Sequence, residues 1–253
     1  MLVTVGFRES GRGGLPAAAA VLCSLAFAAF ASTAAAGPAP RYPVVARLDF
    51  PGHASRYAHL NAPTTVRLMA NWRAPHVAKL SMKTEDGTDE VVLVLGRSTD
   101  REGALWIKIR LPVTAGTGWI PRSALGEIHR IDTWLRVDQA RLRMTLVKAG
   151  KVVFSAPVGV GRPQWPTPKG EFYIRDRLAG AALGPIYGPL AFGTSARSAV
   201  LTDWPGGGVI GIHGTNEPGL LPGRVSHGCI RLRNVDIMRL GRMLPIGTPV
   251  TIF

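Results

Sequence analysis

The chain has 253 residues, of which 46% are hydrophobic, enough to bury one large core or two small ones, so a disordered polymer is excluded. Thirty Lys and Arg against sixteen Asp and Glu give a formal charge of +14, which points to an anionic partner. The basic residues are scattered and no nucleic-acid motif is present, so nucleic acid is not the expected partner; with the secretory signal described next, an acidic polymer of the cell envelope is.

At the N-terminus Arg8 and Arg12 precede an uncharged run from Leu15 to Ala31, the layout of a secretory signal. An Ala34-x-Ala36 site fits cleavage and puts the mature start near Gly37; an uncleaved anchor is the alternative. Either reading places the remainder outside the cytoplasm, in the periplasm or cell wall. Cleavage would remove Cys23, leaving Cys229 unpaired in an exported protein, where a lone thiol calls for a chemical reason.

Residues 37–64, rich in Pro and Ala, are expected to form a spacer. Between 65 and 127 short strand signals follow: the apolar run Val91–Leu95, and Leu105, Ile107, Ile109 and Leu111 alternating with Trp106, Lys108 and Arg110. These predict a small all-β barrel. Its end, ALWIKIRLPVTAGTGWIPRSALGEI (104–128), resembles bacterial SH3-like domains, with Trp106, Lys108, Gly118, Trp119 and Pro121 at matching places.

A second unit, 131–253, opens with strands at 141–147 and 151–156 around a hairpin turn at Ala149-Gly150. Gly- and Pro-rich loops then dominate. Near the end, Ile237, Leu240 and Leu244 keep helical spacing behind a cap at Asn234, and Thr248–Phe253 closes the chain as a strand. The fold class is mainly β, with one clear helix.

The stretch VIGIHGTNEPGLLPGRVSHGCIRL (209–232) holds His213, His227 and Cys229 among several glycines. Only a thiolate attacks, and a free thiol has a pKa of about 8.5, so a nearby base is needed. Both histidines qualify. His227 lies two residues from Cys229, on the same face of an extended segment. His213 ends an apolar strand and is held by Gly214, so its ring can be set before substrate arrives. Gly228 lets a substrate approach the backbone, where N–H groups can meet a developing oxyanion. A zinc site from His213, His227 and Cys229 has the right atoms, but the His-x-Cys spacing is unusual and no fourth ligand follows, so no metal or other cofactor is expected.

IHGTN (212–216) and SHGCIRLRNVD (226–236) resemble the signature of the L,D-transpeptidase (YkuD-type) catalytic domains. Gly159–Gly161, PTPKGEF (166–172) and the hairpin RLRMTLVKAGKVV (141–153) resemble further parts of that family, over about 131–253. The resemblance implies a β-rich, mostly sandwich-like fold acting on peptidoglycan stem peptides. Cys229 would be the nucleophile and His213 the proton donor and acceptor. His227, Ser226, Gly228 and Arg231 would support the imidazole, the oxyanion and the substrate. It implies 3→3 cross-linking through a thioester, with acyl transfer to water or to a protein as alternatives, and carbapenems as covalent inhibitors. A papain-like cell-wall endopeptidase, the other enzyme class considered, places its Cys before its His, the reverse of the order here. Residues 65–127 are expected to position the enzyme or bind wall polymer without supplying chemistry.

Overall fold

The computed structural model describes residues 46–47, 54–112, 116–201 and 207–253. The signal-like stretch 1–36 lies outside them. No helix among the described residues is long and apolar enough to cross a membrane.

The first sheet takes its strands from β1 (Ala46–Arg47), β2 (Ser55–Leu60), β3 (Thr64–Arg67), β4 (His76–Leu80), β5 (Val91–Thr99), β6 (Leu105–Arg110), β7 (Thr117–Pro121) and β8 (Leu125–Ile131). They run in the order β4-β3-β7-β6-β5-β2-β8, with β1 added beside β5. Ala58, Val66, Val92, Val94, Ile107, Ile109 and Ile120 form its core. Trp106 departs from the expected alternation: it is buried, covered by Trp72 at 4.7 Å between ring centroids, and its indole N–H donates to Asp100 Oδ2 at 2.8 Å. The spacer expected at 37–64 is corrected here. β2 lies inside it and pairs with β5 on one side and β8 on the other, its Ala58 and Leu60 buried, so its place comes from neighbours rather than from a periodic pattern of its own.

The second sheet contains β9 (Thr133–Asp138), β10 (Arg143–Lys148), β11 (Lys151–Pro157), β12 (Gly159–Gly161), β13 (Gly170–Ala179), β14 (Leu190–Arg197), β15 (Val209–His213), β16 (Gly223–Ser226), β17 (Ile230–Arg231) and β18 (Pro249–Ile252). Its order is β11-β10-β9-β18-β13-β14-β15-β17-β12-β16, and the helix α1 (Asn234–Gly241) packs against β14. The expected hairpin joins β10 to β11, with φ of 47° at Ala149 and 77° at Gly150, the double left-handed turn that matches strand twist.

β13 and β14, absent from the strands expected at the sequence level, run through the middle of this sheet. Seven successive residues of β14 are buried, so the strand lacks the alternation of a half-exposed one. In β13, Phe172 and Ile174 enter the main core while Tyr173 joins Val91 and Leu93 of the first sheet in a third cluster. Tyr173 donates its hydroxyl to the Val91 carbonyl at 3.0 Å. Arg175 interrupts the β13–β14 register and pairs with Glu90 through Nε at 2.8 Å and through Nη2, and with Glu85 through Nη1 at 2.7 Å. Both β13 faces are therefore covered, one by each unit.

Asp176, beside that bulge, is 3% exposed and accepts the Gly193 N–H at 2.8 Å. Burial pushes its pKa up to about 6, against the pull of the Gly193 N–H and with further repulsion from Asp86. The raised folded pKa means that stability contributed by the neutral acid is present below about pH 4 and lost as pH rises through 6. Asp176→Asn keeps the acceptor oxygen and is expected to be about 3 kcal/mol more stable than wild type at pH 7. Denaturant unfolding at pH 7 and pH 4 checks this, the difference falling to about 0.5 kcal/mol at pH 4.

Candidate active site

β15 lies between β14 and the short parallel strand β17, with His213 opposite Ala191 on one side and Arg231 on the other. Cys229 immediately precedes β17, so the parallel pairing of Ile212 with Ile230 carries the thiol alongside β15. The Gly211 N–H points at Cys229 Sγ at 3.4 Å. A Cβ built on Gly211 would sit 3.7 Å from His213 Cδ2 and 3.8 Å from Cys229 Sγ, so thiol and imidazole face the same bare patch of strand. The two residues singled out in the sequence, sixteen positions apart, are brought together by sheet pairing.

His213 is 3% exposed, and its Nδ1 lies 2.6 Å from the Gly214 carbonyl. Since a carbonyl only accepts, Nδ1 carries the proton and Nε2 is left with its lone pair. Gly214 thus fixes the tautomer. Burial lowers the His213 pKa to about 4, the Gly214 carbonyl opposing and the Arg231 charge assisting. Cys229 is partly exposed, and loss of solvation around its sulfur raises the thiol pKa, with the Gly211 N–H and Arg231 pulling the other way. At neutral pH the resting pair is therefore thiol and neutral imidazole, with no ready-made thiolate–imidazolium pair.

The other signature residues build the turn that holds the thiol. Ser226 donates its hydroxyl to the Cys229 carbonyl at 2.6 Å and accepts the Gly228 N–H at 3.1 Å. Gly228 thus joins the turn through its own amide. Glycine is needed there because φ is +118° and a Cβ would lie 3.0 Å from Ile210. Arg231 borders the cleft and donates to Glu217 Oε2 at 3.0 Å. His227 also lines the cleft, but stacks on Trp165 at 4.3 Å between centroids.

The upstream motif is explained by one hydroxyl. Thr167 Oγ1 accepts the Gly161 N–H at 2.8 Å and donates to the Gly228 carbonyl at 2.7 Å, tying β12 to the Cys229 turn. A Cβ on Gly161 would lie 2.1 Å from the Trp165 carbonyl, so no other residue fits there. Asn234, expected as the helix cap, is instead its first residue: Arg233 stands at the cap, and Asn234 Oδ1 accepts the Thr215 N–H at 2.9 Å, bracing the chain just beyond His213. Thr167 was marked in the sequence as part of PTPKGEF, whereas Gly211, Trp165 and Tyr187 were not picked out. Tyr187, 4.9 Å from the His213 ring, carried one signal, an aromatic side chain flanked by Gly-Pro on both sides. Among the described residues no cluster of three or more His, Cys, Asp or Glu is placed to hold a metal ion.

The β-rich domain places a cysteine, just ahead of β17, and a tautomer-locked histidine, at the end of β15, on one cleft. Residues 132–252 match the YkuD family of L,D-transpeptidase catalytic domains. The chain is 37% identical over 140 residues to YkuD of Bacillus subtilis (strain 168), covering 55% of this chain and 77% of that protein. Against YbiS of Escherichia coli (strain K12) it is 29% identical over 134 residues, covering 45% and 42%. The NMR structure of the catalytic domain from an E. faecium L,D-transpeptidase superposes with a TM-score of 0.36 at 28% identity, covering 48% of this chain and 97% of that one. The chain belongs to the L,D-transpeptidase (YkuD) family.

Proposed function

We propose that the chain is an exported transpeptidase that forms 3→3 cross-links between peptidoglycan stem peptides through a thioester on Cys229. The observation that carries this reading is that Cys229 Sγ and His213 both lie beside Gly211 on one cleft, with His213 Nδ1 held by Gly214. As Sγ attacks the carbonyl before the terminal D-Ala of a tetrapeptide, the thiol proton passes to His213 Nε2. Backbone N–H groups of the Ser226–Cys229 turn are the donors available to the developing oxyanion. Collapse of the intermediate breaks the peptide bond, and His213 returns the proton to the departing D-Ala amine. A side-chain amine of a second stem then attacks the thioester, loses its proton through His213, and restores the thiol. Because both groups are neutral at rest, proton transfer accompanies attack rather than preceding it.

The signal-like N-terminus supports export, and the +14 charge supports attraction to anionic wall polymers. The resemblance of 104–128 to SH3-like domains supports reading the first sheet as the wall-facing module. Acyl transfer to water is the second reading, favoured by the partial exposure of Cys229.

The test is purified protein with a disaccharide-tetrapeptide. A dimer linked between third residues is the expected product, and a tripeptide alone would assign the carboxypeptidase reading. A carbapenem should give a one-to-one adduct by intact mass. An adduct that persists in Cys229→Ala would sink the assignment of the nucleophile.

A further inference from the structure

Glu85 stands in the turn between β4 and β5, in the unit expected to take no part in the chemistry, yet it is tied to the cleft wall. One carboxylate oxygen accepts from Arg175 Nη1 at 2.7 Å, and the other pairs with Arg197 Nη2. Arg197, the last residue of β14, donates from Nη1 to the Gly207 carbonyl. Its Nε is buried without a partner among the described residues, so these two contacts carry its polar anchoring.

The next links are backbone. Ser198 N–H donates to the Gly208 carbonyl at 2.8 Å, and Ser198 Oγ accepts the Leu201 N–H at 3.0 Å. Ser198, Leu201 and Gly208 border the same cleft as Cys229 and His213. This wall has no slack at Gly208, where a Cβ would lie 2.2 Å from the Leu201 carbonyl. An exposed ion pair alone holds little, since ordering two long side chains offsets its attraction. Here Arg175, whose side chain is 4% exposed, has already immobilised the Glu85 carboxylate, so Arg197 meets a fixed partner.

We propose that Glu85 is a positioning residue for the donor cleft: acting through Arg197, it holds the Gly207 carbonyl and with it the Ser198–Leu201–Gly208 wall against which the stem peptide lies. The first unit thereby completes the substrate site without touching the reacting atoms. This rests on reading the cleft as the stem-peptide site.

The full-length protein, Glu85→Gln and Glu85→Asp are compared. In Glu85→Gln the Ser198 amide should exchange with deuterium at least about 10-fold faster, while amides of β9 and β10 are unchanged. KM for the disaccharide-tetrapeptide should rise about 5-fold with kcat within about 2-fold, the mark of lost ground-state placement. Alkylation of Cys229 by iodoacetamide should stay within about 2-fold, because a small reagent needs no wall. Glu85→Asp should recover part of the exchange protection. Wild-type exchange at Ser198 together with an unchanged KM overturns the proposal, as does faster exchange spread evenly over β9 and β10. If wild type itself fails to acquire an acyl group from the peptide, the functional reading is at fault, and Ser198 exchange alone decides the role of Glu85.

Discussion

His213→Ala is expected to slow acylation of Cys229 by a stem peptide about 10²-fold or more, the scale of a lost general base. Its pKa of about 4 sets the accompanying pH behaviour. A depressed pKa keeps the imidazole neutral and basic throughout pH 5–8, so wild-type kcat/KM should fall on the acid side near pH 4 rather than near 6.5. Alkylation by iodoacetamide, which requires the thiolate, should rise into the alkaline range because burial has raised the thiol pKa. His227→Ala should leave that alkylation profile in place and act on KM, since its ring rests on Trp165. A thiolate that survives below pH 6 in wild type and disappears only in His227→Ala would reverse the two roles. Rapid-quench acylation and a pH series of alkylation rates provide the measurement.

Glu90→Ala is expected to destabilise the protein by about 3–5 kcal/mol, the range for removing one partner of a buried ion pair. Arg175 and Glu90 have side chains only 4% and 3% exposed, so truncating Glu90 strips a buried guanidinium of its bidentate partner. Glu85 remains but meets Arg175 through a single nitrogen, which replaces part of the loss. A fall in Tm of about 10 °C corresponds to this range for a chain of this size. Replacing both partners with apolar residues, as in Arg175→Met with Glu90→Leu, should recover much of it, because no charge is then stranded. Thermal unfolding of the three proteins decides the matter; a Glu90→Ala variant as stable as wild type would show that solvent reaches Arg175. The same contacts bear on the second unit taken alone, since residues 131–253 without the first sheet would expose Tyr173 and leave Arg175 without either glutamate.

The chemistry of the site was legible in the linear chain because its parts are local. Ser226, His227, Gly228 and Cys229 make one turn, and the turn's requirements, a hydroxyl for the Gly228 amide and a positive φ, are met within four residues. The hairpin at Ala149-Gly150, the first half of β5 at Val91–Leu95, and the strands β6 and β18 were legible for the same reason, each announced by its own turn residues or apolar run. What depended on residues far apart was not. β2 reads as spacer until β5 and β8 flank it, and β13 and β14 lack alternation because both faces are covered. The sequence determined which atoms could react and left two histidines able to serve. Only the tertiary structure shows what distinguishes them: β15 pairs with β17 so that His213 and Cys229 both lie beside Gly211, and the His213 imidazole is buried on the Gly214 carbonyl, whereas His227 lies against Trp165. It likewise joined Glu85 and Glu90 to arginines 85 or more positions away, because strand pairing and burial act on distance in space and charge spacing along a chain carries no record of it.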